Sequence, residues 1–457
     1  MTGAGPLAGR RLLVAYSNSS MFTTTTHEYV DSFRRHGSAE VHFLHVTHGA
    51  KPDIDLNRYD AVLLSYCARL CFPGYVSKWF LELLDSYTGV KAIAIQDEYD
   101  LVENERRGLD RLRPEIVLTC VPPDQVERVY PAVRYPTTTF VQVLTGYVSS
   151  TFDLHRPRRP VAGRSIPVGY RGRDIALRYG LLARQKYEIG VRVAEEAARR
   201  GIASDIRMDE AGRIYGDAWY RWLEDCRCVL GTESGSNIFD WDGSIAAAST
   251  VAQRRSTALP ADIVATMAQR DREFAMGQIS ARVFEAAIMG TPLLLYRGGY
   301  SGAIEPDIHY IPLEHDHSNF DEVFDRLADT AALQAQADRT YRDLVATGRF
   351  GYQAFVHRVE ESIAHRIGGA PIRGGVAPVD PPMTDCNRPA VEERPTTRPR
   401  EFDSFQLRAL RMTVEIDGMF AAGWPGILRA ITWQLRSVAR RVPFLRAAWR
   451  RLLARDR

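Results

Sequence analysis

Short runs of β-branched and apolar residues alternate with amphipathic stretches over residues 10–148. Arg11–Tyr16, Val41–Val46, Ala61–Tyr66, Lys91–Ile95, Ile116–Cys120 and Thr139–Val143 read as strands. Helical stretches lie between several of them, notably Thr26–His36 and Val76–Tyr87. This order predicts a parallel, doubly wound sheet whose functional groups sit at the carboxyl ends of its strands. The basic, proline-containing run Arg156–Pro160 interrupts the pattern, which then restarts. The second series predicts strands at Ile166–Tyr170, Asp205–Met208, Val229–Thr232, Leu293–Tyr296 and His309–Leu313. Its helices fall at Gln185–Arg200, Ala218–Cys226 and Ala281–Met289 and across Phe320–Ile367, and a less regular passage runs to about Gly277. Two Rossmann-like units in tandem, residues 1–155 and 161–367, imply a cleft in which two substrates meet away from water.

Residues 368–400 are proline-rich and lack apolar periodicity, which marks a linker. In residues 401–457 the pattern becomes helical again. Leu428, Ile431, Leu435, Val438, Val442, Leu445, Trp449 and Leu452 recur at spacings of three and four, with Arg436, Arg440, Arg446 and Arg450 largely outside that stripe. This predicts a basic amphipathic helix kinked at Pro443.

Composition changes that picture in only one respect. The 457 residues are 45% hydrophobic and 25% charged, ordinary values for a globular chain, and the net charge is +3. Nine arginines against the single acid Asp456 lie in Ile427–Arg457, so the rest of the chain is slightly acidic. That distribution speaks against a nucleic-acid binder. Together with Trp424, Trp433 and Trp449 it points to an anionic membrane surface as the partner of the tail. The six cysteines (67, 71, 120, 226, 228 and 386) show no metal-ligand spacing and read as buried free thiols. No apolar run approaches the roughly 18 residues of a membrane span. A reduced, cytoplasmic setting at the inner face of the membrane is the expectation.

The segment GQISARVFEAAIMGTPLLL, Gly277–Leu295, carries the most chemistry. Ser280 can cap a helix whose first N–H groups lack intrahelical partners, and a helix start of this kind attracts phosphate oxygens. Arg282 adds a charged donor, and one turn further Glu285 can accept from both hydroxyls of a ribose. An ordinary helix with a solvated Arg and Glu would read the same. Arg171 and Arg173 follow the first strand of the second unit, and Lys186 lies on the next helix. They are candidate diphosphate ligands, guanidinium groups being suited to phosphate oxygens. Glu233 and Ser234 stand at a strand's carboxyl end. Gly299 and Ser301, in RGGYSG, follow the strand Leu293–Tyr296, where backbone N–H groups can approach a phosphate or sugar. In the first unit His27, Asp97 and Glu98 are candidate general bases. Asp240-Trp241-Asp242 could hold a divalent ion but also reads as a turn, so no metal is expected. His309 and Tyr310 read as core.

The run R-x-F-E-A-A-x-x-G-T before an apolar strand resembles the C-terminal domain of group 1 glycosyltransferases, which have the GT-B fold. VGYRGR, RIYGDAWYRWLEDC, LGTESGSNIFDWDG and HYIPL resemble a subgroup associated with bacterial surface-polysaccharide clusters. The resemblance covers about 190 residues and implies an α/β GT-B enzyme. Such an enzyme moves a sugar from a nucleotide sugar to a hydroxyl of a surface glycan or glycolipid, with no cofactor beyond the donor. It assigns donor-ribose binding to Glu285 and diphosphate neutralisation to an Arg and a Lys near 171–186. A second family Glu would fall at position 277, which here is Gly; Glu273 or Glu233 could substitute, and Glu233, at a strand's carboxyl end, is preferred. Two alternatives share the architecture: a nucleotide-sugar epimerase, and a non-catalytic membrane-associated assembly protein.

Overall fold

The computed structural model describes residues 5–373 apart from Phe22, Ser256 and Thr257. Most of the linker and the whole basic tail, including the membrane-directed helix and Cys386, lie outside the described residues.

The first lobe is an α/β unit: β1 (Arg11–Tyr16), α1 (Thr24–His36), β2 (Glu40–His45), β3 (Ala61–Leu64), α2 (Lys78–Ser86), β4 (Val90–Ala94), α3 (Val102–Leu112), β5 (Ile116–Thr119), α4 (Val126–Val129) and β6 (Thr139–Gln142). Its six strands are parallel in the order β2-β1-β3-β4-β5-β6. The central strands are buried on both faces, which is why they read as unbroken apolar runs.

The second lobe contains β7 (Val168–Arg171), α5 (Gly180–Arg199), β8 (Ser204–Arg207), α6 (Asp217–Asp225), β9 (Val229–Gly231), α7 (Ser244–Arg255), α8 (Ala261–Arg270), α9 (Ala281–Ile288), β10 (Leu293–Tyr296), β11 (Ile311–Leu313), α10 (Phe320–Ala328) and α11 (Thr330–Tyr341). Its parallel sheet has the order β11-β10-β9-β7-β8. The sequence order of neighbours reverses between β1 and β3 in one sheet and between β7 and β9 in the other. Such switch points are where ligands bind in open α/β sheets. The structure is thus α/β with two parallel sheets, as the GT-B resemblance implies.

Two connections tie the lobes together. The last described helix, α12 (Tyr352–Ile367), follows the second lobe in sequence yet buries Tyr352, Phe355, Val356, Val359 and Ile363 in a core cluster of the first. Its buried Glu360 accepts from Ser38 N at 2.8 Å and Ala39 N at 3.1 Å, satisfying N–H groups just past the end of α1. The passage between β9 and α9 is less irregular than its sequence implies, since it holds α7 and α8. It also reaches across to the first lobe. Phe239, Phe274 and Met276 belong to that lobe's core, with Trp241 packed against it. Val102 N and Glu103 N, in the first turn of α3, donate to Asp240 O and Trp241 O at 3.2 and 3.0 Å. Gln125 and the backbone of Ala275 exchange two hydrogen bonds of 3.0 Å.

The end of α9 is fixed by an internal cation. Arg164, 1% exposed, donates to Met289 O, Gly290 O, Cys226 O and Thr291 Oγ1 at 2.8–3.1 Å. Carbonyls at a helix C-terminus carry partial negative charge and suit a guanidinium. Burial pushes its pKa down to about 10. Gly290, at φ +58°, supplies the left-handed residue that ends the helix before β10.

Candidate functional site

The lobes meet through groups at the carboxyl ends of their strands, and α9 stands at the junction. Ser280 caps it, its hydroxyl accepting from Arg282 N at 3.4 Å. The loop after β6 lies against the first turn: Thr145 Oγ1 donates to Ile279 O, and a Cβ on Gly146 would come within 2.6 Å of the Ala281 Cβ. Gly146 is required by this close approach.

Beside the helix start lies a cluster of cations. Arg282 donates to Arg171 O at 2.8 Å and stands over the rings of Tyr170 and Trp219 at 5.1 and 5.5 Å. Lys186 faces both Arg282 and Arg173. Burial, then those two guanidinium groups, push its pKa down to about 8, opposed by Asp97 from the first lobe. Among the described residues neither the Lys186 ammonium nor the guanidinium of the exposed Arg173 has a hydrogen-bond or ion-pair partner, although the Lys186 carbonyl accepts from Tyr170 OH at 2.8 Å. Three cations are thus gathered at a capped helix start, an arrangement suited to attracting an anion.

On the other side of Arg282, Glu285 is half-buried. Trp219 Nε1, from α6, donates to its Oε2 at 2.9 Å. Burial raises its pKa; the Trp219 bond and Arg282 oppose that rise, and Glu28 of α1 adds to it. Glu28 in turn accepts from Ser149 Oγ and Ser150 N, both at 2.7 Å. Glu233 reaches the same region from the end of β9. An added Cβ at Gly277 would lie 3.0 Å from its Oε1. The Glu233 carboxylate therefore occupies the space into which a side chain at 277 would begin.

Several expected site residues are committed elsewhere. Arg171 donates to Asp205 Oδ2 at 2.5 Å and Asp205 O at 2.7 Å, with its guanidinium 4.4 Å from the Trp222 ring centre, so it ties β7 to β8 rather than facing the cations. The Gly299 N–H is used by Glu233 Oε1 at 2.5 Å, and Ser301 Oγ accepts from Ile279 N at 3.1 Å. Both residues thereby shape the turn, and the Gly299 N–H is already engaged. Ser234 N donates to Gln278 O at 2.7 Å, which aligns the two loops at the site. Asp240 caps α7, accepting from Ala246 N at 2.9 Å, and Asp242 accepts from Ser244 Oγ at 2.6 Å, so the paired carboxylates make a turn. His309 and Tyr310 are core, 7% and 0% exposed.

In the first lobe Glu98 must be corrected as a base that faces the cleft. It is 1% exposed and accepts from Thr119 Oγ1 at 2.6 Å and Cys120 N at 2.8 Å, joining the ends of β4 and β5. Burial pushes its carboxyl up to about 8. Asp97 accepts from Tyr99 OH at 2.8 Å, lies 3.5 Å from Arg69, and faces Lys186. His27 is half-buried at the start of α1, and burial lowers its pKa, which keeps the ring neutral at pH 7. Behind Asp97, Asp100 takes a hydrogen bond of 3.0 Å from Arg69 and one of 3.4 Å from Tyr179 OH of the second lobe. Sequence reasoning missed Trp219, Glu28, Gly146 and Tyr179. Only Trp219 left a trace, as one of two tryptophans three apart on a predicted helix.

Among the described residues no helix is long and apolar enough to cross a membrane. No protein-family profile and no curated protein sequence matches the chain. Among solved structures the chain is similar to an alpha-glucosyltransferase in complex with UDP and a 13-mer DNA containing an HMU base, at 12% identity over 78% of this chain and 99% of that one, with a TM-score of 0.46. It is also similar to HepE of Anabaena in complex with UDP and glucose, at 10% identity over 78% and 100% with a TM-score of 0.40. A sucrose-phosphate synthase of Thermosynechococcus elongatus matches at 10% identity over 78% and 99% with a TM-score of 0.42. At such values the chemistry of the site has to be read from its own residues.

Proposed function

We propose that the protein is a GT-B glycosyltransferase that moves a hexosyl group from a nucleotide sugar to a hydroxyl of a surface glycan or glycolipid. The observation that carries this reading is the unpaired cation cluster of Arg173, Lys186 and Arg282 at the capped start of α9, with Glu285 one turn away. A diphosphate laid against the cations would place its ribose near that carboxylate. As the glycosyl bond breaks, charge builds on the leaving diphosphate, and cations fixed before the reaction offset it at no cost in reorganisation. Such a site needs no cofactor beyond the donor. Asp97 and the neutral His27 are the groups from which a base toward the acceptor hydroxyl would come. The Arg- and Trp-rich run Ile427–Arg457 supports an acceptor held at an anionic membrane surface, and the slightly acidic remainder of the chain supports a saccharide acceptor over nucleic acid.

The test is donor turnover. The protein is incubated with a panel of nucleotide sugars, chosen by the thermal shift each produces, with and without a membrane extract supplying acceptors. Nucleoside diphosphate released only when acceptor is present supports transfer. Isomerisation of the donor sugar without acceptor would replace the reading with an epimerase, and binding without turnover with a non-catalytic assembly role.

A further inference from the structure

Helix α6 carries Trp219 and Trp222 three residues apart, hence on one face. Their rings stack at 5.1 Å with an interplanar angle of 23°. Each indole N–H is given to a different carboxylate: Trp222 Nε1 to Asp205 Oδ2 at 2.7 Å and Trp219 Nε1 to Glu285 Oε2 at 2.9 Å. Asp205 is the partner of Arg171, so the Trp222 bond belongs to the structural join between β7 and β8. No such join explains the Trp219 bond, because Glu285 forms no ion pair among the described residues. Arg282 sits one turn before it on α9 and would be the natural competitor for the carboxylate, since residues three apart on a helix are neighbours. Arg282 instead gives an N–H to Arg171 O and stays beside Lys186.

We propose that Trp219 is the positioning residue of the donor site: its indole N–H holds Oε2 of Glu285 away from Arg282 and leaves Oε1 for the ribose hydroxyls of the donor nucleotide. An indole suits this task because it donates one hydrogen bond and accepts none. It therefore fixes the carboxylate without competing for the hydroxyl protons. The bond also favours the ionised carboxylate, against burial and against Glu28. The charged and titratable groups facing Glu285 are Arg282 on its own helix, Tyr220 beside Trp219 on α6, and Glu28 on α1. This inference rests on the donor-site reading above.

Two measurements on the full chain test it. The first needs no ligand: the indole N–H resonance of Trp219, identified by its loss in Trp219→Phe, is followed through a pH titration. A titrating shift that vanishes in Glu285→Gln is expected; a resonance indifferent to pH, or unchanged in that variant, overturns the proposal. The second is calorimetric affinity for whichever of UDP, GDP and ADP binds the wild-type protein most tightly. With Oε2 released and the carboxyl easier to protonate, Trp219→Phe should bind about tenfold more weakly than wild type at the acid end of the range and approach wild type as pH rises. Its kcat should not change, because a ribose contact is made equally in the ground and transition states. Trp222→Phe, which disturbs the stack but not the Glu285 bond, should show no such pH dependence. Equal affinity of Trp219→Phe and wild type across the range refutes the positioning role. Failure of all three nucleotides to bind wild type, with the resonance still titrating, removes the donor site and this role with it.

Discussion

Lys186 gives the donor site a measurable pH dependence. Its ammonium is half-buried beside Arg173 and Arg282, and its pKa falls from 10.5 to about 8. At about 1.4 kcal/mol per pKa unit this is at most roughly 3.5 kcal/mol against the charged form, less where water screens the group. The unfolded chain binds a proton on Lys186 up to a higher pH than the folded one, so this group lowers folding stability below about pH 8 and the cost fades as pH rises through 8 to 10.5. A bound diphosphate reverses the balance: it neutralises the cations, raises the lysine pKa, and so is taken up together with a proton. Corrected for the ligand's own terminal-phosphate ionisation near about pH 6, affinity for a nucleoside diphosphate should therefore change little up to pH 7 and fall by about tenfold by pH 9, where only about a tenth of the free enzyme is still protonated at this position. Calorimetry in buffers of different ionisation enthalpy should register the proton uptake. Lys186→Arg, charged throughout the range, should remove the dependence, and Lys186→Met should bind weakly at every pH. A wild-type affinity unchanged between pH 7 and 9, or a Lys186→Arg profile identical to it, would refute the placement of the phosphate against this cluster.

Other outcomes follow from the same geometry. Glu285→Ala should weaken donor binding about tenfold or more, read by thermal shift and by donor KM, because it deletes hydrogen bonds to a charged acceptor. Phe274→Ala removes a ring that the second lobe buries in the core of the first, and should cost about 3–5 kcal/mol in urea unfolding. Glu98 has its carboxyl raised to about 8, so its contribution to stability is complete below about pH 4.5 and is lost as pH rises through 8. Glu98→Gln should flatten stability between pH 5 and 8 while leaving kcat near wild type. Gly277→Glu should bind the donor worse than wild type and lower Tm, since the new side chain meets the Glu233 carboxylate in a left-handed backbone conformation.

Strands were legible because β1, β3, β5 and β10 are buried on both faces, and burial of that kind leaves an unbroken apolar run. Helix α8 was not, because none of its residues is fully buried and only the half-buried Ile263 and Met267 give it a narrow apolar face. The docking of Phe239 and Phe274 on the first lobe was equally hidden, since a residue's partner across 150 positions leaves no local periodicity. Arg282 and Glu285 could be placed at and one turn beyond a helix start because both are local facts. Arg171, Gly299 and Ser301 looked equivalent in sequence but were already engaged, by Asp205, Glu233 and Ile279 N. A motif names the groups near a site, and tertiary hydrogen bonds decide which of them remain available.

Position 277 shows how far this distinction reaches. In the linear pattern a glycine there reads as the loss of an acidic residue, and so as support for a chain that keeps the fold without the activity. In space, φ of +47° turns the backbone into the region that favours glycine, and the Glu233 carboxylate from β9 stands 3.0 Å from where a Cβ would be. A second carboxylate starting there would meet the first, so glycine at 277 leaves room for the Glu233 carboxylate. Its first oxygen holds the N–H groups of Gly299 and Tyr300 at 2.5 and 3.4 Å and thereby sets the turn after β10. Glycine at 277 is therefore accounted for by the packing of Glu233 against it, and the acid that faces the turn comes from the end of β9.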